Sequence, residues 1–285
     1  MQYAFQALEP EYVAQIAHAR IRPECEHLLE ISCDRLLHDK PVYQLIFEGT
    51  GVPVAALMAL AEREMSGNLH CYLGNGQRLT RRTTIVPIGR GPFPDTEDGF
   101  VAGALDALHL DGLDQVAKAP GGWSLPRFAY ESEAWNGWGN RLHHIPSSYV
   151  FGGTTVQKPG KFIRDHAFSS TTMDPQLGTI AIVEKLFELD PSLKFGDPIA
   201  KVDDTTPIVP VAHPVIGDTN IQWVQTSLNK LRVAGMPLAV DGNCGRGTRA
   251  AVRIFQRAHH LVVDGLPGPK TAVAIGVALS EAGIQ

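Results

Sequence analysis

The chain has 285 residues, enough to bury a sizeable core as one large domain or two ordinary ones. Hydrophobic residues make up 44% and charged residues 19%, as in an ordinary globular protein. No apolar run reaches the roughly 18 residues of a membrane span, so no stable membrane insertion is expected. The net charge of −5 is unevenly spread: from Thr219 onward seven Lys/Arg stand against three acids, a balance of +4 that leaves −9 for residues 1–218. A basic small module beside an acidic large one suggests attraction to an anionic surface, or simply a solvated face; no nucleic-acid partner is expected.

The first residues, "MQYAFQALEPEYVAQ", have no basic start and no apolar run, so a Sec signal peptide is not expected. "PEYVAQIAHARI", "CEHLLEISCDRLL" and "PVYQLIFEG" read as helices or nearly so. Cys25, Cys33, Cys71 and Cys244 form no CxxC pair and are expected to be reduced structural thiols.

The next helix, "GVPVAALMALAERE", has Pro53 in its first turn, where proline is tolerated. Val54, Leu57, Leu60 and Ala61 form one arc, and Glu64, seven residues after Leu57, continues it. Glu62 points roughly the other way, near Ala55 and Met58. Desolvation favours the protonated form of a carboxyl group, which a general acid needs. A helix-end carboxylate at the rim of the core is the plain alternative. "SGNLHCYLGNGQ" follows, with Asn75 and Gln77 as candidate binders of sugar hydroxyls and glycines that permit close backbone approach. Residues 80–93 are expected to form a short strand pair or a loop.

"VAGALDALHLDGL" is the next expected helix. In residues 124–153, Ser124 can cap a helix carrying Pro126 in its first turn, Phe128, Ser132 and Trp135 form its inward stripe, and Gly137 ends it. Asn136, Trp138, Tyr149 and Phe151 come next, aromatic faces and an amide suited to a carbohydrate groove. "LGTIAIVEKLFEL" is a further helix. Period-2 alternation is not sustained over several strands, so the large domain is expected to be mainly α.

Residues 190–220 hold Pro191, Pro198, Pro207, Pro210 and Pro214 with no helical period, and mark an expected linker over 191–217 between domains 1–190 and 218–285. Ile221, Val224, Leu228 and Leu231 then form one helical stripe, with Trp223 off it as a candidate sugar platform or a packing residue. An internal repeat follows. "VDGNCGRGTRAAV" from Val240 and "VDGLPGPKTAVAI" from Val263 match at an offset of 23 in Asp241/Asp264, Gly242/Gly265, Gly245/Gly268 and Thr248/Thr271. Each unit reads as an Asp-Gly turn, a second glycine, and a threonine able to cap the next helix. A small three-helix module is expected.

"VDGNCGRGT", "AVRIFQRAHHLVVDG" and "GPKT" resemble the peptidoglycan-binding domain of cell-wall hydrolases, which implies a non-catalytic anchor on murein over about 65 residues. Asp241, Gly242, Asp264, Gly265 and Trp223 are its candidate residues. "AEREMSGNLHCYLGNGQRLTRRTTIVPIGRGPF", "YESEAWNGWGNR", "IPSSYVFGGTTVQKPGKF" and "MDPQLG" resemble the lysozyme-like catalytic domains of phage endolysins and bacterial muramidases. That resemblance implies a lysozyme-like fold, Glu64 as catalytic acid, Asn136 and Tyr149 near it, and Glu131 or Glu133 supporting the groove. Met65 stands where such enzymes carry serine, which keeps Glu62 as second choice.

The expected reaction is cleavage of the MurNAc-β-1,4-GlcNAc bond, with Glu64 protonating the glycosidic oxygen. A second carboxylate (Asp95, Glu97, Asp98 or Glu131) could act as nucleophile or base. Otherwise the muramic 6-hydroxyl could attack internally, as in a lytic transglycosylase. The rivals are a zinc amidase or endopeptidase, for which His109, His143, His144 and His166 form no ligand spacing; a cysteine peptidase using Cys71 beside His70; and a wall-binding scaffold. No metal or other cofactor is expected. The partner is expected to be bacterial peptidoglycan, the protein a monomer, made in a host cytoplasm and acting on the wall in the periplasm.

Overall fold

The computed structural model describes residues 5–164, 167–203, 220–235, 237–242, 244–263 and 265–284. The protein is mainly helical. The large unit runs α1 (Phe5–His18), α2 (Glu26–His38), α3 (Lys40–Thr50), α4 (Val54–Met65), α5 (Glu97–Asp111), α6 (Leu125–Asn136), the short α7 (Ser148–Phe151) and α8 (Thr179–Leu189). The small unit is α9 (Ile221–Lys230), α10 (Arg246–Ala258) and α11 (Pro269–Glu281). Among the described residues no single helix is long and apolar enough to cross a membrane; α3 and α4 are apolar in succession but turn by 113°.

The centre of the large unit is α4, packed against α8, α3 and α2. Residues 54–61 are buried all round, so the stripe read from the sequence is wider than one arc. Burial of each such Leu or Met side chain contributes about 1.5–3 kcal/mol. Sequence logic sets the helix ends. Thr96 and Ser124 accept the Gly99 and Arg127 N–H groups as N-caps of α5 and α6. Helix α4 stops because Ser66 and Gly67 turn left-handed (φ 53° and 66°) and return their N–H groups to the Glu62 and Ala61 carbonyls.

One expectation about the backbone is decided between its two alternatives and another is corrected. Residues 80–93 form the loop; the described strand pair is β1 (Lys161–Arg164) and β2 (Ala167–Ser169), antiparallel, with Lys161 opposite Ser169 and an irregularity after Phe162. The expected linker also begins later than its prolines suggested. Leu193 is buried, Phe195 packs edge-on against Phe128 and Phe187, and Val202 N–H donates to the Ala17 carbonyl, so residues 191–202 lie on the large unit. Aromatic and aliphatic residues between the prolines give that segment something to bury. Residues 204–219 lie outside the described residues.

The small unit has its own apolar cluster of Val224, Leu228, Ala251, Val252, Phe255, Ile275 and Ala278. The two repeat turns are held alike, each by a glutamine from the preceding helix. Gln225 accepts the Gly242 N–H at 2.9 Å and donates to the Thr248 hydroxyl at 3.0 Å. Gln256 accepts the Gly265 N–H at 2.8 Å and donates to the Thr271 hydroxyl at 3.1 Å. The threonines therefore do not cap α10 and α11; Gly245 and Gly268 occupy the N-cap positions, and the hydroxyls serve the glutamines. Gly242 and Gly265 take φ of 76° and 70°, which favours glycine.

Candidate active site

Glu64 lies in the last turn of α4 with its side chain 16% exposed. Its Oε1 accepts two hydrogen bonds, from Trp135 Nε1 at 2.9 Å and Tyr149 Oη at 2.8 Å. Both donors are buried, at 2% and 3% exposure, and come from α6 and α7. Burial and the neighbouring Glu64 carboxylate push the Tyr149 hydroxyl well above its ordinary value, so it stays protonated and keeps donating. The second oxygen, Oε2, lies 3.8 Å from an Arg246 nitrogen.

A supporting layer fixes this constellation. The Arg63 guanidinium lies over the Tyr149 ring at 4.5 Å, donates to the Leu177 carbonyl at 3.0 Å, and pairs with Asp174 at 3.7 Å. Burial pushes the Asp174 carboxyl up, but the Lys161 ammonium at 3.0 Å, the Gln176 N–H and Arg63 outweigh it and hold the group below its ordinary value. The chain after α4 folds back over it, and Gly76 sits where a Cβ would lie 2.5 Å from the Glu64 carbonyl oxygen.

The other expected residues fall in different places. Glu62 faces α2, where Oε1 accepts from Ser32 Oγ at 3.0 Å and Oε2 pairs with Arg35 at 2.5 Å. Asn136 is exposed at the end of α6. Asn75 and Gln77 do not reach out from a groove wall: Asn75 donates to the Ile85 carbonyl, and Gln77 accepts the Thr84 and Ile85 N–H groups while donating to the Thr84 hydroxyl. Both amides hold residues 84–86 of the following loop.

Glu133 and Glu131 are corrected too. Glu133 is 1% exposed and sits in a buried cluster with Arg141 (2.7 Å), the Tyr12 hydroxyl and, through Arg141, Glu11 (2.9 Å). A carboxylate so enclosed ties α1 to α6 and cannot meet a sugar. Glu131 is buried and pairs with Arg127 one turn away at 2.8 Å. Trp138 is buried against Tyr130, with Arg141 and Arg249 over its ring. Trp223 is 39% exposed on α9, while Asp241 accepts from Gln225 at 2.7 Å, so Asp241 and the two turn glycines build the module's turns. Asp264 lies outside the described residues.

Three participants escaped the sequence reading: Trp135 as a donor to Glu64, Asp111, and Arg246. Only Arg246 left a signal. It and Gly247 stand where the second repeat has Pro269 and Lys270, so the turn itself does not call for arginine. Among the described residues no three His, Cys, Asp or Glu side chains converge as a metal site requires.

The family model of the peptidoglycan binding domain matches residues 217–275. The match falls on the small unit, and so agrees with the resemblance to a peptidoglycan-binding domain read from its two repeat turns. A zinc D-Ala-D-Ala carboxypeptidase of Streptomyces albus G is 49% identical over 47 residues, which cover 15% of this chain and 18% of that protein. The chain therefore matches less than a fifth of that relative's length. No solved structure matches the chain.

Proposed function

We propose that the protein is a peptidoglycan-degrading glycosidase of muramidase type, anchored to murein by its C-terminal domain. The observation that carries this is the environment of Glu64: a partly exposed carboxyl group whose inner oxygen is fixed by two buried donors, Trp135 and Tyr149. Fixing one oxygen leaves the other to meet the glycosidic oxygen, as a general acid must. The resemblance of residues 50–180 to lysozyme-like domains supports the same assignment, and a wall-binding domain supplies the polymer.

A lyase outcome is the second reading, because two of the other candidate carboxylates are engaged elsewhere: Asp95 pairs with His70 at 2.7 Å and Glu131 with Arg127. Glu97 and Asp98 are exposed in the first turn of α5. A single glutamate suffices if the muramic 6-hydroxyl attacks C1. The match to the zinc carboxypeptidase spans 18% of that protein, and the proposed cleavage needs no metal. Delivery from a host cytoplasm to the periplasmic wall belongs to the same proposal.

The test is mass spectrometry of fragments released from purified sacculi. New reducing MurNAc ends are expected for a hydrolase, 1,6-anhydro ends for a lyase, and release should be unchanged in EDTA. Cleaved peptide bonds with intact glycan would overturn the reading.

A further inference from the structure

The C-terminal domain does more than trail behind the large one. Helix α10 packs on α5 and α6, and its first residue, Arg246, reaches Glu64. A Cβ on Gly137, at the end of α6, would lie 3.5 Å from Gly245; a Cβ on Gly247 would lie 3.2 Å from Val86, in the loop held by Asn75 and Gln77. The N-terminus of α10 thus lies between the two chain segments that flank Glu64. Leu266, from the second repeat turn, is buried in the apolar cluster of the large unit.

Arg246 fills the remaining space. Its guanidinium lies 3.9 Å above the Trp135 ring, donates to the Gly74 carbonyl, binds Asp111 at 2.9 Å and reaches within 3.8 Å of Glu64. Asp111 takes Arg253 on its other oxygen at 3.1 Å. This carboxylate is the last residue of α5, where the helix dipole disfavours negative charge, and it is 4% exposed. Both of its cations come from α10. The domain's positive charge is therefore directed inward here, at Asp111 and Glu64, as much as toward a wall polymer.

We infer that the peptidoglycan-binding domain is a latch: docked as seen, it covers Glu64 with Arg246, and a glycan strand reaches that carboxyl group only when α10 has lifted away. The inference rests on the glycosidase reading. The guanidinium lies on the side of the outer Glu64 oxygen, where a glycosidic oxygen would have to approach. The guanidinium also covers the Trp135 face that a sugar ring would stack on. The docked state is not satisfied throughout: Arg249 is 2% exposed, and its Nε and one terminal nitrogen have no hydrogen-bond partner among the described residues, the ring of Trp138 lying 5.5 Å away. An incompletely paired buried charge weakens a contact, so this one is suited to opening. Substrate then binds with an affinity reduced by the fraction of molecules that are open.

The experiment uses the full chain as wild type, Arg246→Ala, Asp111→Asn and the double variant. Asp111→Asn keeps side-chain shape and cuts the contact from the large unit. Small-angle X-ray scattering reads the docking, and the initial rate on peptide-free glycan strands reads access to Glu64. Each single variant should raise the radius of gyration and raise the rate at least about fivefold, the lower end of ordinary coupling between sites. The double should add nothing further, since both changes cut one contact. An unchanged radius in both single variants, or a lower rate at unchanged radius, would overturn the latch and make Arg246 part of the working site. Loss of glycan cleavage in every protein, wild type included, would sink the glycosidase reading instead, and the scattering would still decide whether the domain closes over Glu64.

Discussion

Replacing each of the two glutamates of α4 by glutamine separates a reagent from a brace. In Glu64→Gln the side chain keeps its shape and its Oε1 still accepts from Trp135 and Tyr149, so the packing around it persists. What disappears is the transferable proton, and general acid catalysis contributes roughly 10²–10⁴-fold, or about 3–5 kcal/mol of barrier. Muropeptide release should fall by that factor while the unfolding midpoint moves by no more than about 2 °C. In Glu62→Gln the ion pair to Arg35 is lost. That arginine is 43% exposed, so the pair is worth about 0.2–1 kcal/mol, or roughly 1–4 °C, and the rate should stay within about twofold. Initial rates on purified sacculi, with calorimetry on the same preparations, measure both quantities. A Glu64→Gln protein at wild-type rate, or a Glu62→Gln protein slowed a hundredfold at unchanged stability, would refute the assignment.

Three further outcomes are expected. Arg141→Met leaves Glu11 and Glu133 buried without their shared cation, which should cost about 3–5 kcal/mol in urea unfolding with the α1–α6 contact loosened. Gly76→Ala places a Cβ 2.5 Å from the Glu64 carbonyl oxygen at a φ of 71°; it should cost about 1–3 kcal/mol and slow catalysis by displacing α4's last turn, read by thermal unfolding and initial rates together. Asp174 ionises below its ordinary 3.8 in the folded state, so its contribution is complete above that value and is lost as pH falls through the folded one. The stability gap between wild type and Asp174→Asn should therefore be widest above about pH 5, begin to shrink below about pH 4, and vanish only below the folded value, measured by urea unfolding across pH.

Much of the backbone was legible because its signals are local. Apolar spacing placed the helices, Ser124 and Gly137 bounded α6, and the 23-residue offset exposed two equivalent turns. The glutamines that hold those turns were not legible, because Gln225 and Gln256 lie on the preceding helix and nothing in their local pattern sets them apart. Asn75 and Gln77 misled for a related reason: an amide that would serve a sugar hydroxyl serves a loop carbonyl or N–H equally well.

The sequence by itself determined an α-rich chain, a small module of two equivalent turns resembling wall-binding domains, and the opposite placement of Glu62 and Glu64 around one helix, since a 100° step per residue is a property of the helix alone. Only the tertiary structure decided what each carboxylate meets. Glu62 meets Arg35, Glu133 disappears into a buried cluster with Arg141, and Glu64 is held by Trp135 and Tyr149 and faced by Arg246 from the other domain. The partners of Glu64 lie 71, 85 and 182 positions along the chain, and packing alone brings such distant residues to one carboxyl group.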